Sequence, residues 1–160
     1  MLMNVVNRLI FVLRPFSRRA GKLCLLLFTM LLTAFTARAQ MKEQLLQWAG
    51  NTPVSVTTDS LYNVHFSYDD EDPAFCVALG RKLEARARAD KDEVAEGVAC
   101  IIIANGETYF SNRDNALPYR FKAIRLLQSR PPTRYLVYAY AFLAEITGDR
   151  GKRDSADILF

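Results

Sequence analysis

The most constraining feature of this chain is an internal repeat with a period of forty residues. The segment Arg113-Asp114-Asn115-Ala116 returns as Arg153-Asp154-Ser155-Ala156. The same offset relates Ala99 to Ala139, Ile103 to Leu143 and Ala104 to Ala144. A fixed period indicates that one structural unit is stacked on copies of itself. Such an array presents a binding surface and needs no catalytic centre, so we expect a chain that binds a partner.

Helix start signals recur at nearly even steps in the second half of the chain. Asp72-Pro73 joins an N-cap to a proline in the first helical turn, and Asp90 or Asp92 caps the helix that follows. Thr133 caps a later one. The predicted helices begin near residues 73, 92, 114, 133 and 154. Two such steps make one period, so the pattern predicts an all-α fold of antiparallel helix hairpins.

Two helix boundaries in this half follow from proline and glycine. Pro118 would remove a backbone hydrogen bond from a helix interior, so we expect it in the first turn of a helix that ends near Gln128. The segment 135–146 is apolar almost all round and should be a buried helix. Gly148 then supplies the left-handed residue that ends many helices.

The region before residue 70 gives weaker signals. Residues 41–49 form a short helix with an apolar period, and Gly50-Asn51-Thr52-Pro53 ends it. Residues 54–59 are polar and β-branched, which predicts a loop. Residues 61–68 fit both a strand and a helix. The repeat favours the helix, because Val64 lies one period before Ala104.

The first 39 residues have the organisation of an export signal. A basic leader precedes the apolar run from Leu23 to Phe35, and Ala37-Arg38-Ala39 has the small-x-small pattern of a cleavage site. The alternative is a membrane anchor, but the run is shorter than the roughly 20 apolar residues that span a bilayer. We therefore predict a signal peptide at 1–39, a short helix and linker at 40–59, and helical repeats at 60–160. The mature protein is expected in the periplasm or at the outer face of the inner membrane.

Removal of this leader reverses the net charge. The leader holds six of the 21 basic residues and none of the 17 acidic ones, so the net charge changes from +4 to −2. The remaining domain has no basic field for nucleic acid. Two cysteines remain, Cys76 and Cys100. An exported chain could oxidise them, but two buried thiols on packed helices are the favoured interpretation.

The repeats resemble tetratricopeptide repeats. In that family small residues twelve positions apart lie where the helices of a hairpin cross, and Ala104 with Ala116 matches this spacing. Residues 117–124 are similar to the usual second-helix run of the family. The resemblance implies a short right-handed α-solenoid with an incomplete last repeat, and it implies these helix-crossing residues: Ala104, Ala116, Ala123, Ala144 and Ala156. The period of forty exceeds the family's period of about 34 residues.

A second resemblance concerns the whole organisation of the chain. An export signal followed by such repeats is similar to the periplasmic sensor segments of membrane histidine kinases and regulators of the Bacteroidetes group. The ending Ile158-Leu159-Phe160 is apolar, whereas a solenoid needs a polar cap. We therefore expect a fragment of a longer protein, or an end that docks on another chain. The alternative function is the truncated sensory region of such a regulator.

Candidate chemistry is sparse in this sequence. His65 is the only histidine, and the acidic run 69–72 beside it favours a solvated turn with a helix cap over a metal site. No nucleophile with a base and an orienting group can be assembled, so we predict no catalytic, cofactor or metal residues. Tyr135, Tyr138 and Arg120 are the residues we expect to contact a partner, which would be a protein or peptide. Contact with a membrane is expected only through the signal peptide or a missing C-terminal region.

Overall fold

The structure of the chain is a computed structural model that describes residues 18–110 and 113–149. The described residues form six helices and no strand. The helices are α1 (Arg18–Asn51), α2 (Val54–His65), α3 (Pro73–Asp90), α4 (Glu93–Tyr109), α5 (Arg113–Leu127) and α6 (Arg134–Asp149). The prediction of an all-helical chain is confirmed for these residues.

The chain divides into two compact units, residues 1–41 and 42–160. In the first unit, α1 carries apolar side chains that are exposed on all sides of the helix. The segment Cys24–Asn51 has the length and mean hydropathy of a membrane span, and a signal sequence near the N-terminus has the same properties. The N-terminal apolar helix is therefore compatible with a signal sequence or with an anchor.

In the second unit, the end of α1 belongs to the packed core. Ala49 is fully buried, and Leu45, Leu46 and Trp48 pack against the core cluster. The helix ends at Asn51, within the predicted turn at 50–53, but the prediction of a separate short helix at 41–49 is wrong, because these residues continue α1 without a break.

Residues 54–59 are helical, so the prediction of a loop there is wrong. Thr57 and Thr58 each donate a side-chain hydrogen bond to the carbonyl four residues earlier. Val54, Thr57 and Leu61 are buried on one face of α2. Burial of this face outweighs the low helix propensity of β-branched residues.

The boundaries of α3 and α4 follow the local signals. Asp72 caps α3 by accepting from the Phe75 amide at 3.1 Å, with Pro73 in the first turn. Lys91 ends α3 in the left-handed conformation, and Asp92 caps α4 by accepting from the Ala95 amide at 3.0 Å. The polar break at 90–92 is therefore confirmed.

Two expectations about proline and glycine are wrong. Pro118 lies inside α5, which begins at Arg113, five residues before the proline. The extra turn brings Ala116 into the core, where it is fully buried, while Pro118 itself is exposed. In α6, Gly148 is helical and the described helix continues to Asp149.

The centre of the second unit is α4. Every residue from Gly97 to Gly106 is buried. α4 packs most extensively on α3 and α5, and it also contacts α2. Two glycines allow the close approach of α3 and α4: a Cβ on Gly106 would lie 2.7 Å from Pro73 O, and one on Gly80 would lie 3.0 Å from Ala99 O. The consecutive hairpins are present, and their arrangement as a solenoid stays a prediction.

Candidate functional site

Four helices bring polar side chains together at one end of α4. His65 is the last residue of α2, Asn105 lies near the end of α4, Arg120 lies on α5 and Tyr138 lies on α6. His65, Asn105 and Arg120 are fully buried. We call these four residues the polar cluster. His65 and Asn105 are forty residues apart, so the repeat places two equivalent positions in direct contact.

The hydrogen bonds of the polar cluster fix the orientation of each group. His65 Nδ1 contacts the carbonyl oxygen of Tyr62 and must donate to it. His65 Nε2 therefore accepts, and Asn105 Nδ2 donates to it at 2.8 Å and to Tyr138 Oη at 3.0 Å. The remaining amide oxygen of Asn105 accepts from Arg120 Nη2. The histidine is thus a neutral imidazole with its proton on Nδ1, a state assigned from this network.

Burial keeps His65 neutral. Desolvation lowers its pKa to about 4, and the nearby charge of Arg120 acts in the same direction, while the hydrogen bond to Tyr62 opposes both. Both ring nitrogens are already occupied by protein groups. His65 therefore offers neither a free nitrogen to a metal ion nor a base with a pKa near neutrality.

Arg120 is the fully buried charge of the polar cluster. Its Nε and Nη1 atoms are buried without a hydrogen-bond partner among the described residues. Its guanidinium lies 4.3 Å from the centre of the Phe142 ring, which is a cation–π distance. Desolvation lowers the pKa of Arg120 to about 10, while Tyr138 and Glu145 act in the opposite direction. The guanidinium therefore remains charged at neutral pH.

Aromatic rings from α2 and α6 cover the polar cluster. The Tyr62 ring lies 4.7 Å from that of Tyr135 and 5.9 Å from that of Tyr138, in edge-to-face geometry. The Phe66 ring lies 5.4 Å from the Tyr138 ring, which lies 5.1 Å from Phe142. Phe66 is 40% exposed, and Tyr138 and Phe142 are half-buried. We call Phe66, Tyr138 and Phe142 the aromatic surface.

The residues expected to contact a partner meet in this region. Tyr138 belongs to both the polar cluster and the aromatic surface. Tyr135 is buried at 8% exposure, and Arg120 lies wholly beneath the surface. Arg120 could thus meet a partner only after the rings above it move.

The residues predicted at helix crossings are buried where the structure describes them. Ala104, Ala116 and Ala123 are fully buried, and Ala144 is 9% exposed. Ala156 lies outside the described residues.

Sequence reasoning did not identify Asn105 or His65 as members of one site. The signal that could have found them is the repeat itself, which assigns them equivalent positions. Glu145 occupies the next equivalent position and acts on Arg120 through space.

The two cysteines of the second unit are unreactive in their surroundings. Cys76 and Cys100 are buried free thiols, as the favoured interpretation predicts. Burial raises the pKa of each thiol to about 12, so neither forms a thiolate nucleophile at neutral pH. Among the described residues, no group of three or more His, Cys, Asp and Glu side chains could hold a metal ion.

Comparisons with protein-family models, with curated proteins and with solved structures find no match to this chain. The likeness to tetratricopeptide repeats therefore rests on the residues and spacings of the sequence.

Proposed function

We propose that this chain is an exported helical-repeat scaffold of the tetratricopeptide type that binds a protein or peptide partner and has no catalytic activity of its own. The observation that carries the proposal is the aromatic surface, which joins the C-terminal end of α2 to α6, two regions far apart in the sequence. Its rings are exposed or half-buried around Phe66 and Tyr138. Partly exposed aromatic groups are typical of binding surfaces, and Tyr138 adds a polar tip to two phenylalanine rings.

The position of this surface supports a scaffold. α2, α4 and α6 are related by the forty-residue period, so they are equivalent helices of successive units. In a stacked array such equivalent helices line one side, and a partner would bind along it. The aromatic surface consists of Phe66, which follows the last residue of α2, and of Tyr138 and Phe142 on α6.

The chemistry of the described residues supports the non-catalytic part of the proposal. The single histidine is neutral with both nitrogens bonded, and the two buried thiols are protonated at neutral pH. The apolar N-terminal helix supports export, and we propose that it is a signal peptide cleaved after Ala39 and that the mature protein is periplasmic.

Site-specific photo-cross-linking in the producing cell tests the binding surface. A benzophenone amino acid is introduced at position 66 or 142 of the full chain, and at position 137 as a control. Val137 is 65% exposed on α6, so it is more accessible than the test positions, and it lies outside the aromatic surface. We expect discrete adducts with an exported protein at 66 and 142, and none at 137.

An equal adduct pattern at all three positions would indicate random encounters and would contradict the proposed surface. The absence of adducts at both 66 and 142 would also contradict it. Sequencing of the N-terminus of the secreted product tests the leader in the same preparation, since cleavage after Ala39 gives a chain that begins at Gln40.

A further inference from the structure

The groups of the polar cluster that lack a hydrogen-bond partner are all donors. The acceptors of His65 and Asn105 are all used inside the cluster, as is the Tyr62 carbonyl. Tyr138 Oη accepts from Asn105, which leaves its hydroxyl proton to be donated. Arg120 Nε and Nη1 meet no acceptor among the described residues. The unmatched groups of the cluster are therefore N–H and O–H donors around a positive charge.

Unpaired donors around a buried positive charge are suited to bind an anion. A buried cation without a counter-ion is costly, and each unpaired buried donor adds to the cost. A carboxylate would supply both the negative charge and the acceptors. Asn105 already fixes the guanidinium through Nη2, so the donors are held in place before a ligand arrives.

The surroundings favour a single negative charge. Glu145 acts on Arg120 through space, and Asp69 acts on Tyr138 in the same way. These carboxylates would repel a doubly charged phosphate more strongly than a singly charged carboxylate. The rings of Phe142 and Tyr138 beside the guanidinium would pack against an apolar or aromatic body.

Access requires the movement of one layer of rings. Phe142 lies directly over Arg120 and is itself only half-buried. Rotation of this side chain to another rotamer would uncover the face of the guanidinium that the ring covers.

We propose that Arg120 and the Tyr138 hydroxyl form a binding site for a carboxylate attached to a small apolar or aromatic body. The site rests on the proposed function, since it lies under the aromatic surface, and it names the chemical group that this surface selects. The carboxylate comes from a small organic acid or from a peptide, and the experiment separates these two sources.

The test titrates the full chain, purified in a non-ionic detergent, with five probes, and binding is followed by NMR chemical shifts and calorimetry. Benzoate and benzamide have the same shape and differ in charge, inorganic phosphate tests charge alone, and a short peptide ending in phenylalanine is used with a free and with an amidated C-terminus. We expect the free acids to bind and their neutral partners to bind on the order of tenfold more weakly. The tighter of the two acids identifies the source.

Three variants assign the binding to the cluster. Arg120→Met should weaken benzoate binding by about tenfold or more, and Tyr138→Phe by about threefold to tenfold. Arg134→Met is the matched control, because Arg134 also lies over aromatic rings, those of Tyr62 and Tyr135, but is exposed and paired with Asp59. It should bind benzoate like the parent chain. Circular dichroism checks that each variant is folded. If Arg120→Met does not fold, the binding of benzoate by Tyr138→Phe tests the site.

Three results would overturn the carboxylate site: equal binding of benzoate and benzamide, stronger binding of phosphate, or no binding of any acid, which would mean that water alone meets the donors. Equal binding of the neutral and charged probes would leave the aromatic surface as a binding surface. The cross-linking result is independent of Arg120, so failure of the carboxylate site and failure of the scaffold can be told apart.

Discussion

Two cations on α5, two residues apart, have opposite surroundings. Lys122 Nζ lies 2.6 Å from Glu84 Oε1 and 2.7 Å from Glu96 Oε1, and Arg88 reaches both carboxylates from α3. Arg120 is more deeply buried and has one neutral amide oxygen as its hydrogen-bond acceptor. Lys122 thus joins a neutral ion network of two cations and two carboxylates, while Arg120 brings an unbalanced charge into the core.

The two faces of α5 therefore have different roles. Burial alone would raise the pKa of Glu96, but hydrogen bonds from Lys122 and Arg88 hold it below its usual value. That network fastens α3, α4 and α5 together. Burial of a charge and of a neutral histidine in the polar cluster lowers the stability of the fold. Such a cost is typical of a binding site.

The largest expected effect is an acid-induced loss of stability from the polar cluster. The pKa of His65 is about 4 in the folded chain and about 6.5 in an unfolded one, so between these values the unfolded chain binds the proton. Stability should therefore fall as pH decreases from about 6.5 to 4, by roughly 3 kcal/mol, and this loss should level off below pH 4. Urea unfolding across this range measures it.

His65→Gln is the control for the acid effect, because its amide oxygen can still accept from Asn105. It should flatten the pH dependence in this window, leaving the smaller changes that belong to carboxylates such as Glu96. An equal slope in the parent chain and the variant would show that His65 is not the group responsible.

Arg120→Met should raise the free energy of unfolding in the absence of ligand. The substitution removes a buried, uncompensated charge, which outweighs the loss of the contacts with Asn105 and Phe142. We expect a gain of about 2 kcal/mol by urea unfolding at neutral pH. A loss of similar size would mean that the charge is compensated in solution and would remove the contrast with Lys122.

Lys122→Met should have the opposite sign. It removes two short ion pairs and leaves Glu84 and Glu96 with their ion pairs to Arg88. Because these groups are partly screened by solvent, the expected loss is about 1.5 kcal/mol. The parent chain should lose part of this difference at high salt. A loss independent of salt would point to packing of the lysine stem instead.

Tyr138→Phe should give the smallest effect. It removes the acceptor at 3.0 Å from Asn105 Nδ2 and keeps the ring that packs against Phe66 and Phe142. We expect a loss of about 1 kcal/mol by thermal or urea unfolding. Tyr140→Phe, on the same helix and partly buried, is the control and should change the stability less.

Much of the secondary structure could be read from the sequence, because caps and turns act locally. Asp72-Pro73 and the break at 90–92 specify their helix ends whatever surrounds them. The start of α2 and the interior position of Pro118 could not be read in this way, since their helical state depends on the burial of Val54, Thr57 and Ala116 by distant residues.

The candidate site could be predicted from the sequence only in part. Tyr138 and Arg120 could be selected from the sequence as residues for a partner, yet their depths differ: one is half-buried and the other is fully buried. The bond between His65 and Asn105 joins positions forty residues apart, and the repeat gives their equivalence but not their contact.

The helical class of the chain and its capped helix ends follow from the sequence alone, because propensity, capping and apolar period are properties of neighbouring residues. The apolar N-terminal segment follows in the same way and is compatible with a signal sequence or an anchor. Which charges are paired depends on the tertiary structure. Lys122 and Arg120 are both basic residues of α5. The difference in their charge compensation arises from the groups that α3, α4 and α6 bring to each face. Electrostatic free energy depends on distances through space and on burial, and neither is encoded in the identity of a residue alone.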